Sequence, residues 1–289
     1  MISEGIVPPI SYYKYYKIRV KKEKTLVVLR DIKRKSKREK RKMREVSVII
    51  PTYNCGRYLA CAIESVNRQK VDAEIILVDD ASVDHTKEEV ERLKRIVTCP
   101  INYIRNTKNL GVSLSRNKGL ELAKGKYIAW LDADDWWMEE KLIKQLNKLK
   151  QTDGMFCYTG RELCDEKGKQ IGKIISVPER VTWKCLLYTN VIPCSSVLMK
   201  TEIAKEFPME HDEVHEDYLT WLRILRKYDC AYGINEPLLK SRLTRNGKSR
   251  NKKKTVQMTY GVYRYLGLNR VSSLKYTISH LGCSLLRYW

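Results

Sequence analysis

Residues 126–137 read Lys-Tyr-Ile-Ala-Trp-Leu-Asp-Ala-Asp-Asp-Trp-Trp. Tyr127–Leu131 is a short apolar run of strand-forming residue types. It stops at three carboxylates, Asp132, Asp134 and Asp135, followed by Trp136 and Trp137. A buried strand that ends this way sets an Asp-x-Asp pair at the carboxyl edge of a sheet, where open α/β sheets bind ligands. Carboxylates so close repel one another and attract a cation. Mg²⁺ or Mn²⁺ carrying a diphosphate suits them, because these ions take oxygen ligands and keep substrate phosphates in their shell. The plainer reading is an acidic turn capping the helix that begins near Glu139.

Upstream, the same pattern occurs twice more. Val46–Ile50 is a strand stopped by Pro51-Thr52-Tyr53-Asn54, and Glu74–Val78 is a strand ending in Asp79-Asp80-Ala81-Ser82. Between them Leu59, Ala62, Ile63 and Val66 keep helical spacing. Asp84 caps a helix predicted to run to about Ile96. A third strand follows at Ile101–Ile104, then a turn at Asn109-Leu110-Gly111 and a helix over Leu114–Ala123. Tyr127–Leu131 is the fourth strand, and a helix over Glu139–Leu149 follows. Strict β-α alternation with short links predicts an α/β fold, a mainly parallel sheet covered by helices. Right-handed crossovers then bring the polar strand ends to one edge.

Downstream the pattern loosens into a mixed α+β half. Strands are expected at Met155–Tyr158, Ser196–Met199, Cys230–Ile234 and Leu238–Leu243, with a hairpin turn at Asp165–Gly168 and a helix over His215–Lys227. Leu274, Ile278, Leu281 and Leu285 then share one face of a basic, tyrosine-bearing helix. Such a helix can lie in a membrane surface or dock on the body by that same stripe.

Charge is unevenly placed. The net charge is +22, yet residues 46–239 carry 28 basic and 29 acidic side chains. The excess sits in residues 1–45, with 16 Lys+Arg against 5 Asp+Glu, and in 240–289, with 12 against none. Basic ends on a neutral body attract polyanions, either nucleic acid or anionic lipid headgroups. The nine cysteines form no C-x-x-C pair. Cys55, Cys61, Cys157 and Cys230 are expected as reduced core residues. No secretory leader is expected, and no apolar run approaches the ~20 residues of a membrane span.

The three polar strand ends converge if their strands are neighbours. The Tyr53 ring can stack on a base, and Asp80 can accept a uracil N–H. Asp132 and Asp134 can hold a metal on a diphosphate, and Arg116 can meet phosphate bidentately or be a surface arginine. Trp136 can stack on a sugar or pack below the cleft. His211 and His215 stand four residues apart, but without H-E-x-x-H or a third ligand they read as surface histidines.

Taken together, Val46–Asn54, Leu77–Ser82, Asn109-Leu110-Gly111 with Ser115-Arg116-Asn117, and Gly125–Asp135 resemble glycosyltransferase family 2, over roughly residues 46–240. The resemblance implies a GT-A fold and an inverting, nucleotide-sugar-dependent hexosyltransferase. It places Pro51, Tyr53 and Asp80 at uridine, and Asp132 and Asp134 on the Mn²⁺ or Mg²⁺ and diphosphate. It also matches Glu216-Asp217, with Trp221 following, to the family's base, so Asp217 is the expected catalytic residue. A carboxylate there can instead merely complement the helix dipole.

On this reading, residues 1–45 are a basic extension. Residues 46–135 are a nucleotide-sugar half, 136–240 an acceptor half and 241–289 a basic amphipathic tail. Gln-x-x-Arg-Trp and multiple spans are absent, which favours a single transfer from a UDP-sugar to a lipid-linked or polysaccharide acceptor in cell-surface glycan synthesis. The expected setting is the inner face of the cell membrane, against an anionic surface, with the protein cytoplasmic and peripheral. A nucleic-acid-binding protein and a sugar nucleotidyltransferase are the competing readings. The first does not explain the acidic strand ends. The second usually has a Gly-rich phosphate loop, whereas residues 51–58 hold only Gly56.

Overall fold

A computed structural model describes residues 44–244 and 251–288. The tyrosines at 12–16 and the basic run at 33–42 lie outside the described residues. The first half alternates as its apolar periodicity requires: β1 (Val46–Thr52), α1 (Gly56–Asn67), β2 (Ala73–Asp79), α2 (Thr86–Leu93), β3 (Ile101–Arg105), α3 (Val112–Leu122) and β4 (Tyr127–Trp130). There follow β5 (Trp136–Trp137), α4 (Lys141–Thr152), β6 (Phe156–Cys164), β7 (Gln170–Ile175), β8 (Arg180–Thr182), α5 (Trp183–Tyr188), a 3₁₀ turn (Cys194–Ser196), β9 (Leu198–Lys200) and α6 (Thr201–Glu206). The chain closes with α7 (Glu216–Lys227), β10 (Cys230–Arg242), α8 (Lys252–Tyr265) and α9 (Arg270–Tyr288).

Ten strands form one sheet, ordered β3-β2-β1-β4-β9-β6-β10-β5, with β7 on β6 and β8 on β10. The pairs β1–β2, β1–β4, β2–β3 and β6–β10 are parallel. β9 enters antiparallel between β4 and β6 and joins the first half to the second. The mixed half therefore continues the same sheet. β1 is buried at every residue because it lies between β2 and β4 with helices on both faces. Pro51 is tolerated in this central strand because β4 stops pairing at Ile49, leaving no ladder acceptor for the missing N–H on that side.

Two apolar layers sandwich the sheet. One holds Val48, Ile50, Leu59, Ile63, Leu77 and Leu142. The other holds Ile49, Val78, Trp130, Phe156, Trp221, Val262 and Tyr263. Trp221 of α7 makes edge contacts with Trp130 and Phe156 at 5.5 and 5.1 Å, which fastens α7 to the middle of the sheet. α3 approaches the same face closely, since a Cβ on Gly119 would stand 2.5 Å from Ile49 Cγ2.

Several elements depart from the sequence expectation. β10 is one strand with an irregularity between Ile234 and Leu239, where two strands were expected. β6 extends to Cys164 and pairs with β7 through the anticipated Asp165–Gly168 turn. The helix after Asp84 ends at Leu93. Asp84 does accept from Thr86 N at 3.1 Å, and also from Gly56 N at 3.1 Å, so it ties the starts of two helices. Among the four cysteines expected in the core, Cys157 is buried, Cys55 and Cys230 are half-buried and Cys61 is exposed. Cys61 falls on the outer face of α1, opposite the Leu59, Ala62, Ile63 and Val66 stripe.

Candidate active site

The neighbouring order β2-β1-β4 brings the three polar strand ends side by side, as expected. The first two turns are laced together. Asp80 N donates to Thr52 O (2.8 Å), Asn54 N to Ser82 Oγ (2.9 Å) and Val83 N to Asn54 Oδ1 (2.8 Å). Asn54 and Ala81 take positive φ, 52° and 64°, to make these turns. Pro51 is buried in β1, whereas Tyr53 beyond it is 48% exposed and available for stacking.

Asp80 is largely occupied within the protein. Asn106 Nδ2 and Leu110 N donate to its Oδ1, and Gly111 N to its Oδ2, each at 2.8 Å. It therefore fixes the turn from which α3 starts, and its remaining acceptor capacity is on Oδ2. Gly111 has φ 94°, and a Cβ there would fall 1.8 Å from an Asp212 oxygen.

The acidic turn is braced from β10. Arg242 N donates to Asp135 Oδ1, Arg242 Nε to the Asp134 carbonyl and Arg242 Nη1 to the Glu166 carbonyl, each at 2.9 Å. Its guanidinium lies 4.7 Å from the Tyr58 ring and 4.8 Å from Trp136, so Trp136 packs on this arginine. The Ser195 hydroxyl accepts from Asp132 N at 3.1 Å, and Trp137 Nε1 donates to Ser195 O at 2.7 Å. Behind Trp137, the buried Lys141 Nζ sits 4.0 Å from the ring centroid and donates to Gln145 Oε1 at 2.7 Å.

Arg116 was expected to meet phosphate. In the structure its two terminal nitrogens are committed to carboxylates, Nη2 to Asp132 Oδ1 at 2.7 Å and Nη1 to Glu216 Oε1 at 2.8 Å. It is buried and bridges the acidic turn to the start of α7. Two more links join α3 to the segment before α7. Ser113 N and Oγ donate to Asp212 Oδ1 at 2.9 and 2.5 Å, and Asn117 pairs with both main-chain groups of Met209, at 2.7 and 2.9 Å.

These links hold Asp217 at the wall of a cavity of about 390 Å³, with Arg116, Asp132, Asp135 and Ser195 also lining it. Asn190–Ile192 and Ile175–Val177 complete the far wall. Burial, then the neighbouring Glu216, push the Asp217 carboxyl up to about 7, while Arg116 and the Tyr218 N–H act the other way. Burial, then Asp132, push Asp134 up to about 6. Asp135, deeper still, is raised well above the usual carboxylate range by burial.

Among the described residues, no group of three or more His, Cys, Asp or Glu is arranged to hold a metal alone. Asp132 and Asp134 nevertheless fit a hard divalent ion. They are paired oxygen donors destabilised by one another, and Mg²⁺ commonly takes one or two carboxylates and completes its shell with phosphate and water. His211 stacks on Tyr265 at 3.8 Å, whereas His215 lines the cavity beside Asp217, so the expectation of two surface histidines does not describe His215.

Arg242, Ser195 and the bridging part of Glu216 were not anticipated as site residues. Glu216 had a signal, as the partner of Asp217 in an acidic pair. Arg242 and Ser195 had none, because their roles arise from pairing with residues far away in the chain.

The chain is similar to known proteins over most of its length. The chain is 36% identical over 220 residues to the putative teichuronic acid biosynthesis glycosyltransferase TuaG of Bacillus subtilis, covering 76% of this chain and 87% of that protein. It is 31% identical over 229 residues to the Escherichia coli UDP-Glc:alpha-D-GlcNAc-diphosphoundecaprenol beta-1,3-glucosyltransferase WfaP, covering 78% and 88%. Residues 1–349 of TarS from S. aureus, solved with UDP-GlcNAc, superpose with a TM-score of 0.64 at 18% identity, covering 82% of this chain and 71% of that one. The likeness to TarS is one of fold, a GT-A arrangement with a mostly parallel central sheet. A family model described as glycosyl transferase family 2 matches residues 47–201, more than half of the sequence, and the chain belongs to that family.

Proposed function

We propose that this glycosyltransferase moves a hexose, with inversion, from a UDP-sugar to a hydroxyl of a lipid-linked or polysaccharide acceptor in cell-surface glycan synthesis. The observation that carries the reading is Asp217, a carboxylate near neutrality, held at the same cavity as the acidic turn by Arg116 and Glu216. The names of TuaG, WfaP and the UDP-GlcNAc complex of TarS support the substrate classes.

Inversion is a single displacement. The acceptor oxygen forms the new bond to the anomeric carbon from the face opposite the diphosphate. The bond from that carbon to the diphosphate oxygen breaks, and its electron pair leaves with UDP. The acceptor proton passes to Asp217, whose raised pKa makes it a competent base near neutral pH. Asp132 and Asp134 would hold the divalent ion. When bound, such an ion offsets the charge that develops on the leaving diphosphate. Arg116 acts on this step through the two carboxylates it holds, a role different from direct phosphate contact.

The uridine falls to the first two turns, with the Tyr53 ring against the base, Pro51 below it and Asp80 Oδ2 within the same turn system. A UDP-sugar and a lipid-linked acceptor would meet at the inner face of the cell membrane, which is the setting this reading gives the enzyme. Asp217→Asn should retain UDP binding in a calorimetric titration with Mn²⁺ and lose transfer by roughly 10²-fold or more. Wild-type turnover in that variant would remove Asp217 from the role of base.

A further inference from the structure

The final helix presents its apolar side outward. Ser273 and Thr277 are 0% and 2% exposed. On the same face Tyr276 packs at 5.3 Å from Tyr188 and 5.7 Å from Tyr263, and His280 lies 5.2 Å from Tyr218. These hydroxyl and ring residues dock α9 on the body. At 100° per residue, Val271, Leu274, Ile278 and Leu285 lie on the opposite side. They are 79%, 54%, 62% and 58% exposed, and Leu286 beside them is 84% exposed. Of the two readings of this helix, docking on the body by the apolar stripe is not what occurs: α9 docks through its other face.

A soluble body gains nothing by holding an apolar stripe ~22 Å long in water. Charge says what covers it. Residues 240–289 carry 12 Lys+Arg and no Asp or Glu. Arg270 and Lys275, both exposed, flank the stripe on the same helix. An apolar stripe on a helix whose charged residues are all cations matches a surface of acyl chains under anionic headgroups. Among the described residues no helix is long and apolar enough to cross a membrane, so contact through α9 is parallel to the surface.

We propose that α9 is a membrane-docking helix, which seats the enzyme on anionic lipid through Val271, Leu274, Ile278, Leu285 and Leu286. The proposal deepens the reading of a lipid-linked acceptor, but its test is independent of transfer. The full chain is mixed with phosphatidylethanolamine vesicles with or without phosphatidylglycerol, and flotation measures the bound fraction. Wild type should float with the anionic vesicles. Leu274→Ser/Ile278→Ser should bind at least about tenfold more weakly, and Arg270→Gln/Lys275→Gln should lose binding mainly at raised salt.

Both pairs are exposed and lie outside the catalytic machinery, so Mn²⁺-dependent UDP binding and the melting temperature should stay at wild-type values. Wild-type flotation of the Leu274→Ser/Ile278→Ser variant would overturn the proposal, as would wild type that fails to float. A wild-type dimer in solution that this variant converts to monomer, with flotation unchanged, would assign the stripe to a second copy instead. Flotation with transfer to a soluble acceptor alone would keep the docking helix and reject the lipid-linked substrate.

Discussion

Burying Arg116 between Asp132 and Glu216 couples the acidic turn to the start of the helix that carries Asp217, the proposed base. The guanidinium lowers the Asp217 carboxyl against the larger effects of burial and Glu216. Replacing it removes the guanidinium from both Asp132 and Glu216, and removing one member of a buried ion pair typically costs about 3–5 kcal/mol. Because Asp132 is more open to solvent than Glu216, the lower end of that range applies. Arg116→Met should therefore unfold at lower denaturant by about 3 kcal/mol. It should also shift the ascending limb of the kcat/KM pH profile to higher pH, because Asp217 loses a nearby cation. An unshifted limb would separate Arg116 from the base.

At this scale the sequence was readable where chemistry is local. Asp132, Asp134 and Asp217 stand in short motifs at strand and helix ends. The carboxylate partners of Arg116 were not legible because they lie 16 and 100 residues away. Arg242 was invisible for the same reason, being 107 residues from the carboxylate it braces.

The elements that matter most are α3 and α7, joined through the loop at 209–215. Asn117 closes a two-bond clasp on Met209, and Asp212 caps the first turn of α3 from 99 residues away. The clasp sets where α7 begins, and hence where the Asp217 oxygens lie relative to the sugar. Asn117→Ala should lower kcat by roughly 10- to 100-fold, since an error of about 1 Å in a reacting group can cost that much. KM for the UDP-sugar should change little, as the nucleotide turns are untouched. An increase confined to KM would show that α3 serves the donor instead. The α/β alternation was legible because short continuous apolar runs ending in polar turns alternate with longer helical stretches across residues 46–149. β7 escaped notice because most of its residues are exposed and carry no alternation, and β5 because it is two residues long.

For the whole molecule, pH changes stability through the site itself. Asp134 and Asp217 keep their protons to about 6 and 7 in the fold, whereas unfolded chain releases them near the ordinary carboxylate value. Between about pH 4 and 7 the native state binds more protons, so stability falls as pH rises through that window. Above it, Lys141 contributes the opposite slope, because burial lowers its pKa to about 7 and the unfolded amine then binds more protons. Thermal melts of ligand-free protein should thus decline from about pH 4 to a minimum near pH 7 and recover above it. Mn²⁺ should raise the melting temperature more at about pH 7.5 than at about pH 5, since it needs the ionised carboxylates. Equal metal stabilisation at both values would take the titrating groups out of the metal site.

The Tyr218 and Tyr263 hydroxyl oxygens lie 3.0 Å apart, and the hydroxyls donate to Leu186 O (2.6 Å) and Leu187 O (2.7 Å) respectively. Tyr218 follows Asp217 directly, and Tyr263 belongs to α8. The family match ends at residue 201, before either of them. A chimaera spliced at that boundary would take its acidic turn from one parent and Asp217, the proposed base, from the other. It would also inherit a tyrosine pair fitted to a different helix unless α8 came along. The unit that can be exchanged between relatives therefore runs at least from Arg44 through Tyr263, and swaps meant to change the acceptor have to carry the helix beyond the sheet.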